Sequence, residues 1–352
     1  MRGFASTALI RQIYCAIFWE VGRYEPLNQL FCAMITKRIC LSILLTMGLF
    51  LPGLFAQSKK KQAANPTPAA LEKLKSAEDT LAILAYAVIN DSIELERFAA
   101  CKVLITNLVR TLKAENSFHY PFGRLKSISI LAPPDSSFRI FTWQLFVNDS
   151  TYRYYGAIQL NQRDLQLFPL IDRSFEMEIP PLYEQLKPDH WYGALYYNIR
   201  QFDTREGRKY LLMGYDAFEF FTKRKIIEVL SFDKDRVPVF GAPVFQRENK
   251  TLTPPEMRMI LEYSAEAVVK VNWDEQYKMI LFDHLIPLPS PFGRGMTAVP
   301  DGSYDGLQFQ NGQWNFIDKV FNDTQEEVPF PEPILDARKS KDISGKMKKS
   351  KG

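Results

Sequence analysis

The alternation of apolar and polar positions is clearest towards the C-terminal end of the chain. Val269, Val271 and Trp273 share one side of a period-two run, and Val268, Lys270 and Asn272 share the other. That is the pattern of a strand with two different faces. Asp274-Glu275-Gln276 is polar enough to turn the chain. Residues 279–282 are continuously apolar, which predicts a strand buried on both faces. A Pro/Gly-rich loop is then expected before Leu307 and Phe309 alternate with Gln308 and Gln310. Asn311-Gly312 follows, and Trp314 and Phe316 alternate with Gln313 and Asn315. Asn-Gly between two alternating runs predicts a two-residue hairpin, because its turn needs positive φ at both positions.

The start of the folded region carries a different period. Thr67-Pro68 reads as an N-cap with proline in the first turn. Leu71, Leu74, Leu81, Leu84 and Val88 recur at helical spacing, and so do Phe98, Cys101, Ile105, Leu108 and Leu112. Asn90-Asp91-Ser92 separates the stripes and offers a second cap. A helical hairpin is therefore expected over residues 67–115, packed against a sheet. From residue 124 to 320 the period is two, with strands expected at 127–131, 138–147, 151–160, 191–200, 209–215, 225–232, 237–245 and 258–263. With the C-terminal strands this makes about eleven, joined mostly by short links. Residues 161–188 show no clear period, with a short helix placed at 174–178 or 181–186. The fold class is thus mainly β, an antiparallel meander behind an N-terminal two-helix hairpin. Sandwich, open barrel and a propeller-like arrangement of about three four-stranded groups all fit it.

Composition supports a large core: 46% of the 352 residues are hydrophobic, including 26 Phe and 16 Tyr. A secretory-type leader is expected at residues 34–56. Lys37-Arg38 precedes the apolar stretch 39–55, and Ala56 supplies a small residue before Gln57. Residues 1–33 then read as a mis-assigned extension ahead of Met34, and 57–66 as a linker. An uncleaved anchor is the other reading, although the stretch is shorter than the ~20 residues that span a bilayer. Cys15, Cys32 and Cys40 lie before the cut, leaving Cys101 as a core residue and no intramolecular disulfide. The chain carries +4 overall, and about +1 without residues 1–56, which hold five basic and two acidic side chains. That near-neutral balance argues against dedicated nucleic-acid binding. Residues 336–352 form a basic tail, expected to be disordered and able to touch an anionic surface weakly.

The chemistry-bearing motifs are few. His-Glu-x-x-His, Gly-x-Ser-x-Gly, a Gly-rich phosphate loop and Cys-x-x-Cys are absent from the sequence. The histidines are His119, His190 and His284. His284 follows Asp283 at a strand end, where sites tend to sit. These two are the catalytic candidates, yet neighbours on a strand point to opposite faces, so Asp283 is not expected to orient His284. A His284 bonded to a backbone carbonyl at the sheet edge is the plainer expectation. Asp301, Ser303 and Asp305, with Gly306, resemble the first half of a calcium loop. Position twelve is Gly312 rather than a bidentate Glu, which excludes an EF-hand and leaves a weaker Ca2+ loop or an ordinary turn. Tyr152, Tyr154 and Tyr155 offer an exposed strip for glycan or peptide, although a sheet core is the commoner use of such residues.

The segments Phe282-Asp283-His284-Leu285, residues 300–306 and Gly312-Gln313-Trp314, with Pro134-Asp135, Phe138-Arg139-Ile140 and Trp143, resemble a family of secreted Bacteroidota proteins with no assigned activity. The likeness covers residues 68–320 and implies an exported or envelope protein, with no catalytic residues carried over. Three readings follow: a non-catalytic envelope module binding a partner protein or polymer, a hydrolase using His284 with Asp283 and Asp301, and a Ca2+-stabilised β module.

Overall fold

The computed structural model describes residues 65–148, 151–247, 254–290, 293 and 295–321. The expected leader and the expected disordered basic tail lie outside them.

Two helices open the described chain, α1 (Pro68–Asn90) and α2 (Glu94–Leu112). Thr67 caps α1 by accepting the Ala70 N–H at 3.3 Å. The start of α2 differs from the expected side-chain cap, because its N-cap is Ile93 and Asp91 instead accepts the Ile93 N–H at 2.9 Å. The inward stripes hold Leu74, Leu81, Ala85 and Val88 on α1 and Cys101, Leu104, Leu108 and Leu112 on α2. Glu78 and Arg97 are buried among them. Glu78 accepts the Tyr120 hydroxyl and the Arg124 N–H, and Arg97 donates to the carbonyls of Phe146 and Val147. Each buried charge is therefore bonded to the chain it packs on. Among the described residues no helix is long and apolar enough to cross a membrane.

Fourteen strands follow, in three sheets. The first sheet is a meander of β1 (Ser129–Leu131), β2 (Phe138–Asn148), β3 (Thr151–Leu160) and β4 (Leu167–Ile171). The second contains β5 (Leu195–Thr204), β6 (Gly207–Asp216), β7 (Thr222–Phe232), β8 (Pro238–Phe240) and β10 (Arg258–Ser264), in order β10-β7-β6-β5 with β8 also on β7. The third runs β11 (Val271–Asp274), β12 (Met279–Pro289), β13 (Met296–Gln310), β14 (Gln313–Ile317), β9 (Phe245–Gln246).

Three cores separate four layers. Phe141, Trp143 and Leu145 of β2 face the helices, while Phe138 and Ile140 face the second sheet. In β7, Ile226 and Leu230 join that second core, and Ile227 and Val229 pack towards the third sheet with Ile280, Phe282, Leu307 and Trp314. The period-two alternation thus points each strand's side chains into two different cores, which is why both faces of the middle sheet are apolar. The arrangement is a stack of sheets, each built from a near-consecutive group of strands, and the described residues form no closed barrel.

Several local expectations are corrected. β4 lies in the stretch where no period was apparent. The helix placed there is a 3-10 turn at Ser174–Glu176. The strand placed at 237–245 is two pieces, β8 and β9, and β9 pairs parallel with β14. The Pro/Gly loop after residue 284 is a continuation of the hairpin, since Leu285 to Pro289 pair with Pro300 to Met296. Asn311 and Gly312 have φ of 54° and 85°, and close the expected two-residue turn between Gln310 and Gln313.

Candidate functional site

The sequence candidates converge at an irregularity in the third sheet. The register passes from Asp283 opposite Tyr304 to Leu285 opposite Pro300. His284 on β12 therefore faces the extra residues Asp301, Gly302 and Ser303 on β13. Asp301 closes the bulge on itself, accepting the Ser303 N–H at 2.9 Å and the Ser303 hydroxyl at 2.6 Å. Gly302 has φ of +92°, a conformation that a side chain would strain. A bulge re-aims a side chain out of strict alternation. Here it brings the His284 ring to Asp305, with Nδ1 2.9 Å from Oδ1 and 3.0 Å from Oδ2.

The partner of His284 is thus a carboxylate rather than the backbone carbonyl expected at a sheet edge. Asp318, just after β14, lies 3.6 Å from Nδ1, and Asp301 lies 4.0 Å from Nε2. Lys319 completes the group: its N–H donates to Asp305 at 3.1 Å and its Nζ is 3.7 Å from Asp301. Bonds from Ser303, with the nearby His284 and Lys319, hold the Asp301 carboxyl below the usual carboxylate range. Asp283 takes another role, accepting the Lys270 N–H at 2.5 Å and tying the chain before β11 to β12. Of the calcium-loop candidates, Asp301 and Asp305 reach His284, and Ser303 is bonded to Asp301. His119 and His190 are at the surface, away from this group.

Asp318 also lines an open cleft of about 520 Å3, together with Tyr183, Phe245, Arg247, Glu256 and Phe316. Arg247 pairs with Glu256 at 3.1 Å across it. Tyr183 is half exposed, and Phe316 packs against the third core. Phe245 and Phe316 read in the sequence as strand residues, and nothing there marks any of these residues as part of a site. Asp318 and Lys319 follow the hairpin strand directly, so the hairpin prediction alone returned the chain to the level of Asp305; the bulge that brings His284 there had no sequence signal.

A second polar group lies between the first and second sheets. Asp172 accepts the Tyr154 N–H, the Ser174 N–H and the Ser174 hydroxyl at 2.7–2.9 Å. Burial nevertheless pushes its carboxyl up to about 6. Asp216, raised by burial as well, accepts from the Tyr192 hydroxyl and the Phe218 N–H. Tyr154 is buried here, with its hydroxyl accepting the Ala217 N–H at 2.6 Å, and Tyr155 stacks on Trp143 at 5.8 Å. The Tyr152–Tyr155 segment is therefore mainly core, not an exposed aromatic strip.

No protein-family model matches the chain, and no curated protein shows significant similarity to it.

Proposed function

We propose that this chain is an exported module of the cell envelope that binds an envelope glycan without chemically altering it. The leader pattern at residues 34–56 and the likeness to secreted Bacteroidota proteins support export. The cleft beside β14 carries the binding reading. Its volume of about 520 Å3 lies in the range of ligand sites. Tyr183 and Phe316 offer aromatic surface, and Arg247, Glu256 and Asp318 offer donors and acceptors. A sugar ring has an apolar C–H face and a rim of hydroxyls, and this lining complements both. The non-catalytic part rests on how the candidate groups are engaged. Asp283 is bonded to Lys270, Ser303 is bonded to Asp301, and His284 stands between carboxylates instead of between an acid and a nucleophile.

The test has two arms. N-terminal sequencing of the protein from an envelope fraction should find Gln57 first, and recovery from the cytoplasm alone overturns export. Purified protein should co-sediment with insoluble cell-wall glycan. Tyr183→Ala and Arg247→Ala should each weaken retention about tenfold with unchanged melting. Retention unaffected by both changes, or retention by envelope protein and not by glycan, overturns the glycan reading.

A further inference from the structure

We propose that His284, Asp305 and Asp318 hold a divalent cation of the zinc class at the bulge of the third sheet. The three residues come from β12, β13 and the segment after β14. One donor atom from each lies within 4.8 Å of the others. Four donors bound at 2.0–2.1 Å to a tetrahedral ion are about 3.3 Å apart. The His284 Nδ1 distances of 2.9 Å to Asp305 and 3.6 Å to Asp318 bracket that edge, and the two carboxylate donors lie within 4.8 Å of each other, so an ion is held once the carboxylates rotate towards it.

The surroundings favour a cation on independent grounds. Asp301, Asp305 and Asp318 bring three carboxylates to one imidazole and one lysine. The Lys319 ammonium stands by Asp301, on the far side of the ring. Asp305, almost wholly buried, and Asp318 thus converge on one ring nitrogen, and a dication relieves their repulsion. Two groups stand behind the donors. A metal-bound imidazole donates its other N–H to a carboxylate, a carbonyl or water, and Asp301, 4.0 Å from Nε2, is beyond direct hydrogen-bond reach but close enough to favour the proton there electrostatically. The Lys319 N–H orients Asp305 at 3.1 Å. On binding, the Nδ1 lone pair enters the metal bond and the ring proton resides on Nε2, facing Asp301.

The donor set also selects the ion. Calcium takes six to eight oxygens, whereas an imidazole with two carboxylates suits zinc or a similar first-row ion. Oδ1 of Asp301 is already held by the Ser303 N–H and hydroxyl, which closes the calcium-type loop on itself. Asp318 lies on the cleft, which gives an ion a path to the site from solvent.

Calorimetry of the untagged, chelator-treated full chain with Zn2+ alone is the test. One equivalent should bind at micromolar or tighter concentration, and a hundredfold excess of Ca2+ should not compete. His284→Gln and Asp318→Asn should each weaken binding at least tenfold. Asp318 is exposed, so Asp318→Asn should melt like the unaltered chain in chelator, separating lost ligation from misfolding. Absent zinc binding, or binding that persists in both variants, overturns the site; tighter binding of Ca2+ than of Zn2+ overturns the ion class. Because the metal alone is the probe, the outcome is independent of glycan binding in the cleft.

Discussion

Arg258 Nε lies 2.6 Å from Glu228 Oε1, and neither side chain has any exposed surface. The two stand directly opposite each other on β10 and β7. The pair does not stand alone. Glu228 also accepts the Tyr196 hydroxyl at 2.7 Å, which in turn accepts the Trp191 indole N–H at 2.9 Å. Arg258 donates further to the carbonyls of Pro181 and Phe240. This network fastens the connection at residue 181 and the end of β8 to the centre of the middle sheet. Removing one partner leaves an uncompensated buried charge, so Arg258→Met should lower unfolding free energy by roughly 3–5 kcal/mol. Arg258→Met with Glu228→Leu should recover part of this, but not all, because the two carbonyls and the Tyr196 hydroxyl lose partners. Urea unfolding of the single and double variants checks both statements.

Asp172 makes stability depend on pH in a direction opposite to that of a salt-bridged acid. Its carboxyl is pushed up to about 6 by burial, with the bonds from Ser174 and Tyr154 only partly offsetting this. In the unfolded chain it titrates at about 3.9. The native state therefore holds this proton more tightly. The resulting stability is fully present below about pH 4 and is lost as pH rises towards 6. The span of about two units corresponds to roughly 3 kcal/mol, an upper figure. Asp172→Asn removes the titration, so the difference in stability between variant and unaltered chain should change between pH 4 and 6 and be flat outside that window. Urea midpoints across pH 3–8 measure it.

The parts of this fold that follow a single period were legible in the sequence, and the parts set by distant pairing were not. The helix stripes and the Asn311-Gly312 turn are local, and they form as expected. β4 was hidden by Pro169, which a strand tolerates here because β4 is the edge of its sheet. The prolines between Leu285 and Pro300 suggest a loop where the chain forms a ribbon. It remains a two-stranded ladder because β11 stops pairing at Phe282 and β14 at Gly306, leaving its outer edges free of sheet partners. β9 meets β14 across about seventy residues of sequence, with nothing local to announce it. The same limit applies to the site. His284, Asp301 and Asp305 were recognisable by residue type, but their meeting depends on a bulge and on Asp318 returning beside them. Buried Glu78, Arg97, Glu228 and Arg258 were invisible because a polar residue in a pattern reads as surface until its partners are placed.

Arg139 is held by geometry that a lysine does not reproduce. Its guanidinium donates to Gln159 at 2.8 Å, to the Tyr120 carbonyl at 2.6 Å and to the Ser117 carbonyl at 3.0 Å. The rings of Phe118, Phe122 and Phe141 surround it at 4.9–5.5 Å. Burial lowers its pKa to about 9, a sign of how little water reaches it. The planar fork spans three acceptors at once, whereas an ammonium reaches fewer of them from its flexible stem. Arg139→Lys should therefore cost about 2–3 kcal/mol, mostly from the unpaired Tyr120 carbonyl and the bonds lost at Ser117 and Gln159. Arg139→Lys with Gln159→Leu should not restore stability, since the Tyr120 carbonyl stays unpaired and the Ser117 carbonyl keeps only the Tyr120 N–H. Chemical denaturation of both variants is the check.

Cys101 offers a direct probe of how the helices are seated on the first sheet. It is the described chain's free cysteine, buried on α2, and burial pushes its thiol up to about 12. Only the thiolate reacts at a useful rate, and here the native state both suppresses it and covers it. In a chain cleaved after Ala56, no other cysteine remains to compete. Alkylation at pH 8 should therefore be undetectable over hours in the native protein and complete within minutes in urea. Between these limits the rate should follow opening of the helical layer rather than global unfolding. Arg97→Ala removes the bonds from α2 to the Phe146 and Val147 carbonyls, so it should accelerate labelling of Cys101 by more than its effect on the urea midpoint implies. Equal acceleration and destabilisation would show instead that the helices and sheets open as one unit. Mass spectrometry of time-resolved iodoacetamide labelling distinguishes the two outcomes.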